Sequence, residues 1–149
     1  MRTVRVQTGP FDIAAEVALL RSLPGVGAIV TFTGVCRDEG GRLAALELEH
    51  YPGMAEEEIG RIASDASARW PLAGITVIHR HGRIPVGEDI VLVVTASSHR
   101  QAAFEGASFL MDYLKTNAPF WKKEHPVAEQ SGAWVAARAD DDDAADRWR

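Results

Sequence analysis

Lysine occurs at only three positions in this chain, Lys115, Lys122 and Lys123, and the other thirteen strongly basic side chains are arginines. The two cations differ chemically. A lysine amine that is partly buried or set beside another cation loses its proton readily, so it can act near neutral pH as an acid, a base or a nucleophile; a guanidinium stays charged. The three lysines flank Asn117-Ala118-Pro119-Phe120-Trp121, an apolar segment stiffened by proline. Amines around an aromatic wall, in a chain that otherwise uses arginine, point to proton-transfer chemistry. A plainer use of Lys115 stands beside this one, since a lysine in the last turn of a helix interacts well with that helix's C-terminus.

A second cationic group, Ser97-Ser98-His99-Arg100, stands at the start of a helical pattern. Free N–H groups at a helix N-terminus, with hydroxyls, an imidazole and a guanidinium, suit an anion such as a phosphate; the bland reading is an exposed first turn with a cap. Arg37 lies in the glycine-flanked loop VCRDEGGR after a strand, a usual place for a functional side chain, though equally for a surface arginine. Arg138 precedes an acidic run and could simply pair with it. His79 and His81 form H-x-H on one strand face with no third ligand placed, so a structural or exposed role is favoured over a metal site. Cys36, the only cysteine, has no evident base partner and reads as an ordinary loop or strand-end thiol.

The elements that must hold these residues follow from periodicity. Residues 3–8 alternate as a strand, and a helix capped by Asp12 carries Ile13, Val17 and Leu20 at helical spacing. Residues 25–34 read as a buried strand and 43–50 as a half-exposed one, then a helix covers about 54–70. Strands at 75–79 and 89–96, separated by a turn at 83–88, are expected to be antiparallel neighbours. Ser97 or Ser98 is expected to cap a long helix running to about Thr116, and a final short strand is expected near 134–136.

On that last helix Arg100, Phe104, Met111 and Lys115 share one face, next to an apolar stripe of Ala103, Ala107, Leu110 and Leu114. Fifteen residues at about 1.5 Å each separate Arg100 from Lys115 by roughly 22 Å. If both serve one small pocket, a second copy of the chain must supply one of them. The mixed order of strands and helices is α+β rather than doubly wound, and no glycine-rich phosphate loop occurs.

With 149 residues, 46% hydrophobic and 25% charged, the chain has the size and composition of a single globular domain. The expected organisation is a domain over 1–139 and an acidic tail over 140–149, read as solvated and mobile, the alternatives being a docking element for a basic partner or a cover over a dimer's active site. A net charge of −5 gives no general reason to bind nucleic acid or an anionic membrane. A lone cysteine, with no long apolar run or signal-peptide core, leads to the expectation of a cytoplasmic protein.

The segments VTFTGVCRD (30–38), LELEHYPGM (46–54), VIHRHG (77–82) and above all SSHRQAAFEGASFLMDYLKTNAPFWKKE (97–124) resemble the large, catalytic subunit family of molybdopterin synthase. The resemblance spans about residues 4–138. It implies an α+β fold of the α/β-hammerhead kind, a single domain with an antiparallel-rich sheet. The activity it implies is that of a sulfurtransferase in molybdenum cofactor biosynthesis, converting cyclic pyranopterin monophosphate to molybdopterin by inserting two dithiolene sulfurs. Each sulfur arrives on the C-terminal thiocarboxylate of a ubiquitin-like small subunit. Two large subunits form a central homodimer with shared active sites, and a small subunit at each end makes a heterotetramer.

Residue by residue, the resemblance places the family's two essential lysines on Lys115 and Lys122, its loop arginine on Arg37, its His-Arg pair on His99 and Arg100, and, by a looser match, its late arginine on Arg138. On this reading Arg37, His99, Arg100 and Arg138 hold the phosphate-bearing pterin, while Phe32 and Met111 give the ring apolar contact. Lys115 is the acid/base, Lys122 a charge stabiliser or second acid/base, and Lys123 a bystander. No metal or redox cofactor is required, and sulfur delivery by the partner leaves Cys36 without a transfer role. Two rivals remain: a noncatalytic dimeric module that binds a phosphorylated metabolite or a partner's tail, and an unrelated Schiff-base enzyme using Lys115.

Overall fold

The computed structural model describes residues 1–128 and 144–148. Ten elements follow in order: β1 (Arg2–Gln7), α1 (Ile13–Arg21), β2 (Ala28–Val35), β3 (Leu43–His50), α2 (Met54–Arg69), β4 (Leu72–Arg80), β5 (Gly82–Pro85), β6 (Asp89–Ser97), α3 (Arg100–Asn117) and β7 (Phe120–Pro126). The first four-stranded sheet runs β1-β4-β6-β2; β1 is parallel to β4 and the other pairs are antiparallel. A second, antiparallel sheet of three strands runs β5-β3-β7. The α+β class and the antiparallel β4–β6 pairing expected from sequence are both present.

Alternation along the central strands builds the core. Ile75, Val77, Val91 and Val93 point to one face, where α2 contributes Ile59 and Ile62 and α3 contributes Phe109, Leu110 and Leu114. Ile78, Leu92, Val94 and Ala96 point to the other, covered by Leu20 of α1. Asp12 caps α1 as expected, its carboxylate accepting from Ala15 N at 3.1 Å. Gly53 enters α2 at φ +86, a left-handed conformation that favours glycine, and the Glu56 carboxylate accepts its N–H at 2.8 Å. The apolar stripe of α3 lies in the core as its spacing predicts, with Ala103, Ala107, Leu110 and Leu114 all buried.

Four expectations need correction. The N-cap of α3 is His99, in extended backbone and without a side-chain cap bond. Ser97 instead ends β6 and donates its hydroxyl to the Pro71 carbonyl at 2.8 Å, while the Ser98 hydroxyl lies 2.9 Å from His99 Nδ1. Second, the region read as a turn begins with a short strand, β5. Third, the segment after Pro119, for which periodicity predicts no element, is a full strand, β7. The proposed strand at 134–136 and the acidic run at 140–143 lie outside the described residues. Residues 144–148, expected to be solvated, are docked instead: Ala145 is buried, Trp148 sets its ring edge-on to Trp70 and Phe109, and Arg147 pairs with Asp112 of α3 at 3.1 Å. Trp148 Nε1 also donates to the Asp112 carboxylate.

Candidate active site

A cavity of about 430 Å³ opens where the C-terminal end of α3 meets the second sheet. That volume suits a small organic molecule. Lys115 enters from the last turn of α3, one turn after Met111, since i and i+4 share a helix face. Phe32 comes from β2 and Arg37 from the loop after it. Gly34 keeps this wall thin: a Cβ there would lie 2.7 Å from Val91 Cγ1.

The strand β7 supplies the remaining wall by simple alternation. Phe120, Lys122 and Glu124 line the cavity. The residues between them take the opposite face, where Lys123 is in register with Glu47 and the His125 imidazole lies 2.9 Å from that same carboxylate. Two adjacent lysines therefore serve different surfaces. Composition alone could not separate them; a period of two does.

Four cations, Arg37, Arg42, Lys115 and Lys122, and two carboxylates, Glu39 and Glu124, line the cavity, leaving it cationic on balance. Arg42, just before β3, pairs with Glu124 of β7 at 2.8 Å, and Arg37 approaches Glu39 at 3.4 Å in an exposed and weak contact. An anionic ligand would meet the exposed Arg37 and Lys115 and the half-buried Lys122. Apolar lining from Phe32, Met111 and Leu114 suits a ring system.

His79, read from the sequence as structural or exposed, is buried and lines this cavity. Its Nδ1 lies 2.9 Å from the Arg80 carbonyl oxygen, and its ring stacks on Phe120 with centroids 3.9 Å apart. Burial lowers its pKa to about 4, and the nearby positive charges of Lys122 and Lys115 act in the same direction. His81 turns instead to His50, the ring centroids 4.3 Å apart, and burial followed by the His50 charge lowers its pKa. Cys36 is a core residue whose thiol pKa is raised chiefly by burial.

The structure thus brings together Phe32, Arg37, Met111, Lys115 and Lys122. His99 and Arg100 are exposed at the opposite end of α3 and do not line the cavity of their own chain. Arg138 lies outside the described residues. His79, Arg42 and Glu124 were not assigned to the site from sequence. For Glu124 the available signal was its even spacing from Phe120 and Lys122, visible only once that segment is taken as a strand.

Residues 6–117 match the family model described as "MoaE protein". The chain is 65% identical to the molybdopterin synthase catalytic subunit of Mesorhizobium japonicum, over 99% of this chain and 93% of that protein. Its fold is similar to that of the molybdopterin biosynthesis MoaE protein of Burkholderia ambifaria, with TM-score 0.85 and 49% identity over 99% of this chain and 98% of that one. The molybdopterin synthase structure from Staphylococcus aureus is similar at TM-score 0.79 and 26% identity, over 88% and 95% of the two chains. With its α+β fold and the lysine-lined cavity at the end of α3, the chain belongs to the MoaE family of molybdopterin synthase catalytic subunits.

Proposed function

We propose that this chain inserts two sulfurs, delivered on the C-terminal thiocarboxylate of a ubiquitin-like small subunit, into cyclic pyranopterin monophosphate to form the dithiolene of molybdopterin. The observation that carries this reading is the convergence of Lys115, Lys122 and Arg37, from three separate segments, on one cavity. Arg37 holds the substrate's anionic group, and Phe32 and Met111 contact the pterin. Thiocarboxylate attack and the release of the partner's carboxylate require proton transfers, which fall to Lys115 as acid/base, with Lys122 stabilising developing charge.

His99 and Arg100 join the site from a second copy of the chain, as the span of α3 demands of any pocket that uses both ends of that helix. Arg138 completes the anion-binding set. The deciding experiment supplies purified thiocarboxylated small subunit and cyclic pyranopterin monophosphate to the purified chain and assays molybdopterin. Product formation is expected; tight binding of the pterin with no sulfur transfer would favour a noncatalytic module.

A further inference from the structure

We propose that His79 is a positioning residue for the lysine pair: its imidazole presents Nε2 as a hydrogen-bond acceptor on a cationic wall and holds the Lys122 head group toward the cavity. The inference rests on the reading of this cavity as the sulfur-transfer site.

Its position is the first argument. His79 follows Ile75 and Val77 on the α3-facing side of β4, where the pattern calls for an apolar side chain. A polar ring buried there is costly unless its nitrogens are used. The partner of Nδ1 is a backbone carbonyl at 2.9 Å, and a carbonyl oxygen only accepts. In the neutral ring the proton must therefore sit on Nδ1, which leaves Nε2 with its lone pair.

The second argument is orientation. Phe120 stacks on the imidazole at an interplanar angle of 15° and stands two residues before Lys122 on the same face of β7. The strand that carries the lysine thus also fixes the plane of the ring. His79, Lys115 and Lys122 all line the same cavity.

The third is charge. Around the ring stand Lys122 of β7, Lys115 of α3 and His50 of β3, each opposing its protonation, and burial opposes it most. The ring therefore stays neutral at physiological pH. An ammonium has three donors and no acceptor, so the lone pair on Nε2 can take one of them. A carboxylate in this place would add its full negative charge to the hydrogen bond and hold the amine strongly protonated; a neutral imidazole favours the ammonium through the hydrogen bond alone, so it raises the amine's pKa less.

The test uses the full chain with its thiocarboxylated partner. His79→Phe keeps the ring volume and the stack on Phe120 but removes Nε2, whereas His79→Gln restores an acceptor near that place. His79→Phe is expected to lower kcat by about 10- to 100-fold with KM for the pterin within about twofold, and to shift the lysine limb of the pH–rate profile. His79→Gln is expected to recover most of both. Independently of activity, nitrogen NMR of the wild type should show His79 protonated on Nδ1 and bare on Nε2 from about pH 5 to 9, and His79→Phe should displace the Lys122 Nζ titration. An unchanged Lys122 titration in folded His79→Phe overturns the proposal, and so does a proton on Nε2 of the wild type, a result that is read even if His79→Phe fails to fold. A wild type that transfers no sulfur while the NMR results hold overturns the functional reading instead.

Discussion

At the residue scale the three lysines separate by what surrounds them. Lys115→Arg keeps a positive charge at the end of α3 and removes an amine that can exchange its proton. It is expected to lower kcat for sulfur transfer by about 100-fold or more, with KM for the pterin changed little; unchanged turnover would refute the acid/base role. Lys123→Ala alters the opposite face of β7 and is expected to leave kcat within about twofold and stability within about 0.5 kcal/mol, by activity assay and urea unfolding. His79 makes a pH prediction. Its folded pKa of about 4 lies below its unfolded value, so the unfolded chain binds more protons across that window and stability must fall as the pH drops from about 6.5 towards 4. Complete protonation would cost about 3 kcal/mol, and His79→Phe should flatten that part of the melting profile. Lysine scarcity was legible in the sequence. The role of His79 was not, because a histidine at a core position looks the same whether its ring is merely tolerated or faces a cavity.

At the element scale, helices were easier to read than the second sheet. The stripe of α3 and the Asp12 cap are local patterns, fixed by spacing and by one hydrogen bond, and both appear where the sequence puts them. In contrast β7 begins right after Pro119 and, beyond the strand-favouring Phe120 and Trp121, carries Lys, Lys, Glu, His and Pro, most of which strands disfavour. Its conformation comes from pairing with β3, 70 or more residues earlier in the chain, which no local window contains. Packing on α3 can be tested directly. Phe109 is buried between Trp70, Tyr113 and Trp148, so Phe109→Ala is expected to destabilise the fold by about 3–5 kcal/mol, measured by denaturant unfolding. A loss below about 1 kcal/mol would mean that the site refills by collapse.

At the scale of the whole molecule, length and composition predict one compact unit, and the acidic run predicts a solvated tail. Residues 144–148 dock on α3 instead, through Trp148 and Arg147 next to Asp112, three residues before Lys115. Trp148→Ala is accordingly expected to cost about 2 kcal/mol, about half of a fully buried aromatic, in thermal or urea unfolding. The geometry of α3 makes a further prediction about copies of the chain. Separately inactive Lys115→Ala and Arg100→Ala proteins, once mixed and exchanged, should regain about a quarter of wild-type activity, because half of the dimers then hold one intact site of two. No recovery after verified exchange would refute a shared site. The alternation of β7 carries a last consequence, for anyone who edits this chain. The identity of the working amine is stored as a parity: moving the Lys122–Lys123 doublet by one position against β3 would preserve charge, composition and hydrophobicity, yet turn Lys123 inward and Lys122 out, along with Phe120 and its hold on His79.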